Sequence, residues 1–312
     1  MQTWKRGALW SLAAIALLAV AASGKSLLGQ SSGDASRPAA PAVNKSWPEV
    51  NLNVVVLDKH DVPQEIDEQK FQLFEDGSER PLEFRAAADS PMSIALLIDT
   101  SGSMYKRKPA ILSVVTEIVK SLPAGSEVMA VQFDDQSFLD LPFTDASKID
   151  YSFLNEIYRG GTALFDTVVA TENYFAAHAR CTKRAIVLLS DGGDNTSHVP
   201  MRAAIQSLLW PGAPTFYSFV FSDSHAAFGQ KLLDKRDMQE LAKAGGGVAF
   251  TATETDLVSN TARFVSVIRS QYVLTFAAAD PARNSKARKL EVRLPDKDLQ
   301  IHALRVYYAP AQ

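Results

Sequence analysis

The apolar positions of residues 93–269 alternate between two rhythms. Ser93 is followed by an unbroken apolar run at 94–98, and residues 93–98 are therefore predicted to form a strand buried on both faces. Residues 108–122 place apolar side chains three and four positions apart, which predicts an amphipathic helix. Further strands are predicted at 127–133, 137–143, 185–189, 215–221 and 248–251, and further helices at 163–178, 199–210, 231–244 and 255–270. This order predicts an α/β fold with a doubly wound, mainly parallel sheet, in which residues 137–143 form an antiparallel edge strand.

The two flanks of this segment contain short strand patterns separated by polar turns. The predicted strands are 51–57, 71–74 and 81–85 before it, and 272–276, 290–294 and 301–307 after it. Neither flank has enough strands to close a core alone. We therefore expect residues 49–89 and 271–309 to pair into one small β-sandwich module, from which an α/β domain of residues 91–270 emerges as an insertion.

The N-terminal residues read as an export signal. Lys5 and Arg6 precede an apolar run at 8–22, which is shorter than the roughly 20 residues that a membrane-spanning helix needs. Ala19-Val20-Ala21 offers a cleavage site, so we predict a signal peptide at 1–23, with an uncleaved signal anchor as the alternative. Residues 24–48 are rich in Ser, Gly, Ala and Pro and are predicted to be a flexible linker. The remainder is expected outside the cytoplasm, in the periplasm, in the cell envelope or secreted.

Charge and cysteine content narrow the classes of partner. The net charge is -3, and cleavage after Ala21 would remove Lys5 and Arg6 and leave 30 basic against 35 acidic residues, or -5. This balance gives no general attraction to nucleic acid or to an anionic membrane, beyond a tether through the N-terminal segment. Cys181 is the single cysteine, which excludes an intrachain disulfide and a multi-cysteine metal site. An exported chain without disulfides suggests a bacterial envelope.

Oxygen-bearing side chains occur where three predicted elements meet one edge of the sheet. Asp99-Thr100-Ser101-Gly102-Ser103 follows the first buried strand, Thr162 follows two glycines before a helix, and Asp191 ends the strand at 185–189. Ligands bind at the carboxyl ends of parallel strands. The candidate metal ligands are Asp99, Ser101, Ser103, Thr162 and Asp191. Three hydroxyls and two carboxylates suit a hard cation, for which we favour Mg²⁺ over Mn²⁺ or Ca²⁺.

Charge counting indicates that this site is incomplete by itself. Two carboxylates cancel the charge of a divalent ion but supply too few ligands for an octahedral shell, so water and an exchangeable position remain. An Asp or Glu side chain from a partner protein is the natural ligand for that position. We therefore predict a protein-binding module and no enzyme. The alternative is a metal-dependent hydrolase using the same residues, although no general base adjoins them in sequence.

Each segment also has a structural interpretation. Ser101, Ser103 or Thr162 could cap a helix, and Ser190-Asp191-Gly192 could be a plain turn. The joint occurrence of all three segments favours a site. Among other polar residues, Asp134 and Asp135 are interpreted as a solvated loop. Asp194 and Asn195 could support the site or form a turn, and Asp166 could hydrogen-bond within the site or cap its helix.

The pattern Asp99-x-Ser101-x-Ser103, followed by Thr162 and Asp191, resembles the metal-ion-dependent adhesion site of von Willebrand factor A (VWA) and integrin I domains. The resemblance implies that the two serines ligate the ion directly, that the threonine does so directly or through water, and that the aspartates act largely through water. The whole chain resembles exported bacterial VWFA-related proteins, in the strand-rich segment 54–84 and in residues 269–274 and 305–308. It therefore implies a cation-dependent adhesion-type module.

Overall fold

The computed structural model describes residues 49–86, 89–155, 158–222, 228–278 and 286–308. The predicted signal at 1–23 and linker at 24–48 lie outside the described residues. Within the described ranges, the chain forms no helix with the length and apolar character needed to cross a membrane.

The described residues form fourteen strands and five α-helices. The strands are β1 Glu49–Leu57, β2 Gln72–Glu75, β3 Ser78–Arg80, β4 Glu83–Ala86, β5 Met92–Asp99, β6 Glu127–Phe133, β7 Ser137–Asp145, β8 Lys183–Ser190, β9 Thr215–Phe221, β10 Ala249–Ala252, β11 Tyr272–Ala277, β12 Ala287–Arg293, β13 Gln300–Ala303 and β14 Val306–Tyr308. The helices are α1 Lys108–Ser121, α2 Leu164–His178, α3 Met201–Ser207, α4 Phe228–Ala244 and α5 Leu257–Arg269.

The central sheet has six strands in the order β10-β9-β8-β5-β6-β7. All neighbours are parallel except β7, which runs antiparallel to β6 at the edge, as predicted. Every residue of β5 is buried because apolar cores cover both faces of the sheet. Helices α1 and α5 cover one face, and α2, α3 and α4 cover the other. The predicted α/β fold class is confirmed, and we call residues 92–269 the α/β domain.

The flanking strands form two antiparallel sheets. One has the order β13-β1-β11-β4 and the other β14-β12-β2-β3. In the first, β1 pairs with β11 so that Leu52 lies opposite Leu274, which joins segments on either side of the α/β domain. Apolar residues of both sheets share one core, among them Leu73, Phe276 and Leu290. We call these eight strands the β-sandwich.

The prediction of one continuous strand at 301–307 is wrong. The strand is interrupted at Leu304 and Arg305. As a result, β13 pairs with β1, whereas β14 pairs with β12 in the other sheet. The break coincides with a close approach to Gly246, whose φ is +72°. A Cβ on this glycine would lie 2.5 Å from the Leu304 backbone nitrogen. Tertiary packing against the α/β domain therefore sets this corner, and strand alternation alone does not reveal it.

Two further predicted elements differ from the structure in their pairing or in their length. The third strand, predicted at 81–85, is β4, but β2 pairs first with the short β3 through a turn in which Asp76 and Gly77 have positive φ. The helix predicted at 199–210 is only α3. After the helix, Leu208 still packs in the core of the α/β domain, whereas Trp210 and Ala213 pack in the core of the β-sandwich. There the Tyr308 amide donates to the Leu209 carbonyl at 2.8 Å.

The chain enters and leaves the α/β domain at the amino-terminal edge of the sheet. Met92, at the start of β5, pairs with Lys183 at the start of β8. The buried Lys183 ammonium in turn donates to the carbonyl of Arg269, the last residue of α5, at 2.5 Å. Gln271 then donates to the Tyr217 hydroxyl at 2.7 Å. Both ends of the domain are therefore fixed at one place, and the opposite edge is left for the loops described next.

Candidate cation-binding site

Three loops meet at the carboxyl-terminal edge of the central sheet. The first follows β5 and contains a 3-10 helix, Gly102–Arg107. The second precedes α2, and its Gly160 carbonyl accepts a hydrogen bond from the Gly102 amide at 3.3 Å. The third follows β8, and its Asn195 amide donates to the Thr162 carbonyl at 3.0 Å. Backbone hydrogen bonds thus hold the three sequence segments of the candidate site together.

Asp99 is the buried centre of this arrangement. Its Oδ1 accepts from the Ser101 amide at 2.8 Å, and its Oδ2 accepts from the Ser190 hydroxyl at 2.6 Å. Burial raises the pKa of Asp99 to about 7, against these hydrogen bonds, and the charge of Asp191 raises it further. Burial therefore disfavours the ionised form of Asp99, and a cation bound nearby would stabilise that form.

Ser101 and Ser103 connect the two candidate carboxylates. Their hydroxyl oxygens lie 3.1 Å apart, and the Ser103 hydroxyl donates to Asp191 Oδ1 at 2.9 Å. Because the Ser101 amide also binds Asp99, four of the five residues singled out from the sequence form one hydrogen-bonded group. Their oxygen atoms come from two different loops and face one another across the edge of the sheet.

Thr162 is placed beside Asn195. Its amide donates to Asn195 Oδ1 at 2.8 Å, and the residue is almost fully buried. Among the described residues, no hydrogen bond joins its hydroxyl to the other four candidates. The sequence left open whether Asn195 supports the site or forms a turn. In the structure, its side-chain oxygen helps to hold the loop that carries Thr162.

The neighbouring acidic residues shape the loops. Asp134, interpreted from the sequence as part of a solvated loop, is instead buried, and its Oδ1 accepts from the Gln136 amide at 3.1 Å. Asp135 is exposed as expected, but its Oδ1 accepts from the Gly161 amide at 2.8 Å. A Cβ at Gly160, whose φ is +73°, would clash with the Asp135 carboxylate. The positive φ and this close approach together favour glycine at position 160.

Asp166 and Asp194 organise the third loop from the side of α2. Asp166 accepts from the amides of His198 and Val199 at 3.0 and 2.9 Å. Asp194 Oδ2 accepts from the Phe165 amide at 3.0 Å and also bonds the Ser197 hydroxyl. These bonds tie the loop to the start of the helix, so Asp166 acts on the loop outside the hydrogen-bonded group of four.

Sequence reasoning missed two residues that contact the candidate ligands. Ser190, which hydrogen-bonds Asp99, was seen only as part of a turn, although its position at the end of β8 beside β5 was a usable signal. Arg107 was not singled out at all. Its Nε lies 3.8 Å from Asp191 Oδ2, and it follows Ser103 by about one turn of the same short helix. That spacing was visible in the sequence, but the proximity to Asp191 was not.

The donor set fits a hard divalent cation. Carboxylates and small hydroxyls are the oxygen ligands that such ions prefer. Within the part of the chain that the structure describes, no cluster of three or more His, Cys, Asp or Glu side chains could hold a metal ion. The oxygen donors that the described loops bring together at this edge are the hydroxyls of Ser101 and Ser103 and the carboxylates of Asp99 and Asp191.

A known family model matches the part of the chain that carries the candidate site. Residues 94–193 match the family model of the von Willebrand factor type A domain. The chain contains a VWA domain. Asp99, Ser101, Ser103, Thr162 and Asp191 all fall inside the matched residues. Domains of this family often mediate protein interactions. No curated protein sequence matches the chain.

Several solved structures are similar to the chain at low sequence identity. Proximal thread matrix protein 1 from the mussel byssus has a TM-score of 0.51 and 15% identity, over 63% of this chain and 51% of that one. A von Willebrand factor type A protein from Catenulispora acidiphila has a TM-score of 0.47 and 12% identity, over 86% and 75%. BatB from Bacteroides thetaiotaomicron has a TM-score of 0.45 and 17% identity, over 57% and 100%. This chain thus spans about half the length of the mussel protein.

Proposed function

We propose that this VWA protein is a divalent-cation-dependent, adhesion-type protein-binding module of the bacterial envelope, in which an Asp or Glu of a partner completes the metal shell. The observation that carries the proposal is the pair of serines, Ser101 and Ser103, that links two carboxylates at the open edge of the sheet: the Ser101 amide donates to Asp99 and the Ser103 hydroxyl donates to Asp191. The hydroxyl oxygens of Ser101 and Ser103 lie 3.1 Å apart, and the Ser103 hydroxyl donates to Asp191 Oδ1 at 2.9 Å. Oxygen atoms brought this close from separate loops can share one cation.

The ion would be held by residues with distinct tasks. The hydroxyls of Ser101 and Ser103 would contact it directly, Thr162 directly or through water, and Asp99 and Asp191 would balance its charge largely through water. We favour Mg²⁺ because few carboxylates and small hydroxyls suit a small ion that keeps several waters. Once bound, the ion supplies a Lewis-acidic position for a carboxylate. The protein residues set where that position points.

We propose no enzymatic activity for this site. A hydrolase that activates water needs a general base near the reacting atoms. His198, the histidine of the third loop, pairs instead with Asp166 at 3.0 Å. Hydrolysis of model phosphoesters by the wild-type chain that disappears in Asp191→Ala would contradict the binding proposal and favour the hydrolase alternative.

The proposed location and tether depend on the N-terminal segment. The predicted signal at 1–23 would direct the chain out of the cytoplasm, and the linker at 24–48 would connect the β-sandwich to a membrane if the signal remained as an anchor. Detecting the chain in the periplasmic, membrane or secreted fraction of an expressing cell tests this part of the proposal. Recovery in the cytoplasm alone would contradict it.

Calorimetric titration of the full chain with Mn²⁺ and Mg²⁺ tests the cation dependence. We expect one ion per chain, with binding lost in Asp99→Ala and weakened in the milder Ser103→Ala. Asp298→Ala, at an exposed position in the turn after β12, is the matched control and should bind as wild type does. Capture from an envelope extract with and without chelator then tests the partner. A wild-type chain that binds neither ion would overturn the proposal.

A further inference from the structure

Arg107 lies beside one of the candidate ligands, Asp191. Its Nε is 3.8 Å from Asp191 Oδ2, while the Ser103 hydroxyl holds Asp191 Oδ1 at 2.9 Å. Ser103 and Arg107 belong to the same short 3-10 helix, so one segment presents both a hydroxyl and a guanidinium to a single carboxylate. The Asp191 side chain is 19% exposed and that of Arg107 only 12%. This contact is therefore partly shielded from water.

The shielding distinguishes Arg107 from the other arginine near the site. Arg159 also lies 3.8 Å from a carboxylate, that of Asp134, but its side chain is 58% exposed. Water and salt screen an exposed charge strongly and a partly buried one much less. Of these two arginines, Arg107 therefore acts more strongly on the group of candidate ligands.

Counting charge shows what this arginine does to a loaded site. The two aspartates carry two negative charges when ionised, and Arg107 removes one of them from the balance. A divalent cation would leave the site with one excess positive charge, whereas the same site without the arginine would be neutral. A single carboxylate from outside restores neutrality. Arginine also presents N–H groups in a planar fork that matches a carboxylate.

We propose that Arg107 makes the binding of the cation and of an acidic partner interdependent. It weakens the hold of the site on a divalent cation alone, and the affinity is recovered when a carboxylate arrives and interacts with both the ion and the guanidinium. The inference rests on the proposed function. It adds that the partner's acidic side chain interacts with two positive groups, the cation and the Arg107 guanidinium. The site then binds the ion firmly only when that side chain is present.

Mn²⁺ titration of the full chain, with sodium acetate as the carboxylate probe, tests this inference. In chloride buffer, Arg107→Gln should bind Mn²⁺ about tenfold more tightly than wild type, because a partly buried positive charge beside the site is removed. Arg107→Lys keeps the charge and should stay close to wild type. The comparison is made at equal ionic strength, with the free Mn²⁺ concentration corrected for the Mn²⁺ that acetate binds. Acetate should then tighten Mn²⁺ binding several-fold in wild type and much less in Arg107→Gln.

Arg236→Gln is the matched control, since it also removes an arginine paired with a carboxylate, that of Glu240 at 3.0 Å, but on the exposed surface of α4. It should change neither affinity nor the acetate effect. Equal or weaker Mn²⁺ binding in Arg107→Gln, with its metal-free melting temperature unchanged, would overturn the inference. If wild-type binding is real and lost in Asp99→Ala, the proposed function survives that result. If wild type binds no Mn²⁺, both the proposed function and this inference fail.

Discussion

The carboxyl group of Glu172 should make the stability of the α/β domain fall as pH rises. The side chain is buried on α2, where Oε2 accepts a hydrogen bond from Trp210 Nε1 at 2.9 Å. Its Oε1 is buried with no hydrogen-bond partner among the described residues. Burial raises the pKa of Glu172 from 4.5 to about 8, against the hydrogen bond from Trp210 and the charge of Arg184. The folded protein therefore holds a proton that the unfolded chain releases.

The sign and size of the effect follow from that difference. Below pH 4.5 both states are protonated, and the contribution of Glu172 to stability is fully present. Between pH 4.5 and about 8 only the folded state keeps the proton, so the free energy of unfolding falls by about 1.4 kcal/mol per pH unit. The whole range amounts to about 5 kcal/mol at most. Above pH 8 the loss is complete.

Urea unfolding at pH 5, 6, 7 and 8, followed by tryptophan fluorescence, measures this slope. Glu172→Gln keeps an oxygen acceptor for Trp210 but does not titrate, so its advantage over wild type should grow with pH. The difference between the two proteins removes the contribution of all other titrating groups. Glu240→Gln, at an exposed position of α4, is the control and should run parallel to wild type. Parallel curves for wild type and Glu172→Gln would refute the reasoning.

Three further substitutions probe the site and the fold. Ser190→Ala removes the 2.6 Å hydrogen bond to Asp99, and Mn²⁺ affinity measured by calorimetry should fall about tenfold, with unchanged affinity contradicting a supporting role. Gly246→Ala places a Cβ 2.5 Å from a backbone nitrogen at a φ of +72°, so urea unfolding should show a loss of at least about 2 kcal/mol; a neutral result would mean that the corner after β13 can shift. Tyr307→Phe removes the hydroxyl that donates to the buried Glu75 carboxylate, which should cost about 1–3 kcal/mol in the same assay, and no loss would indicate that water replaces it.

The central sheet could be predicted from the sequence because its strands are buried on both faces. Runs such as 94–98 and 185–189 have no polar face, and helical spacing between them leaves a parallel α/β sheet as the economical arrangement. The β-sandwich gave a weaker signal. Nothing in the alternation of residues 301–307 marks the point where the chain changes sheets, since that point depends on Gly246, far away in sequence.

The candidate site was predictable to the extent that its residues form local motifs. Asp99, Ser101 and Ser103 lie in one segment whose position after a buried strand determines where they face. Contacts between segments were beyond sequence reasoning. Predicting the contact between Arg107 and Asp191 would require the path of the 3-10 helix. Predicting the hydrogen bond between Thr162 and Asn195 would require the geometry of two loops. Both depend on distances that residue spacing does not contain.

The position of the chain ends of the α/β domain has a consequence for the order of folding. Strands β4 and β11 pair although the entire α/β domain separates them in sequence. Closing so long an unstructured loop carries a large entropic cost before any contact repays it. Met92 and Arg269 both lie beside Lys183 in the folded domain, so folding of that domain brings the two flanks together. The α/β domain is therefore expected to fold first and to act as the template on which the β-sandwich assembles.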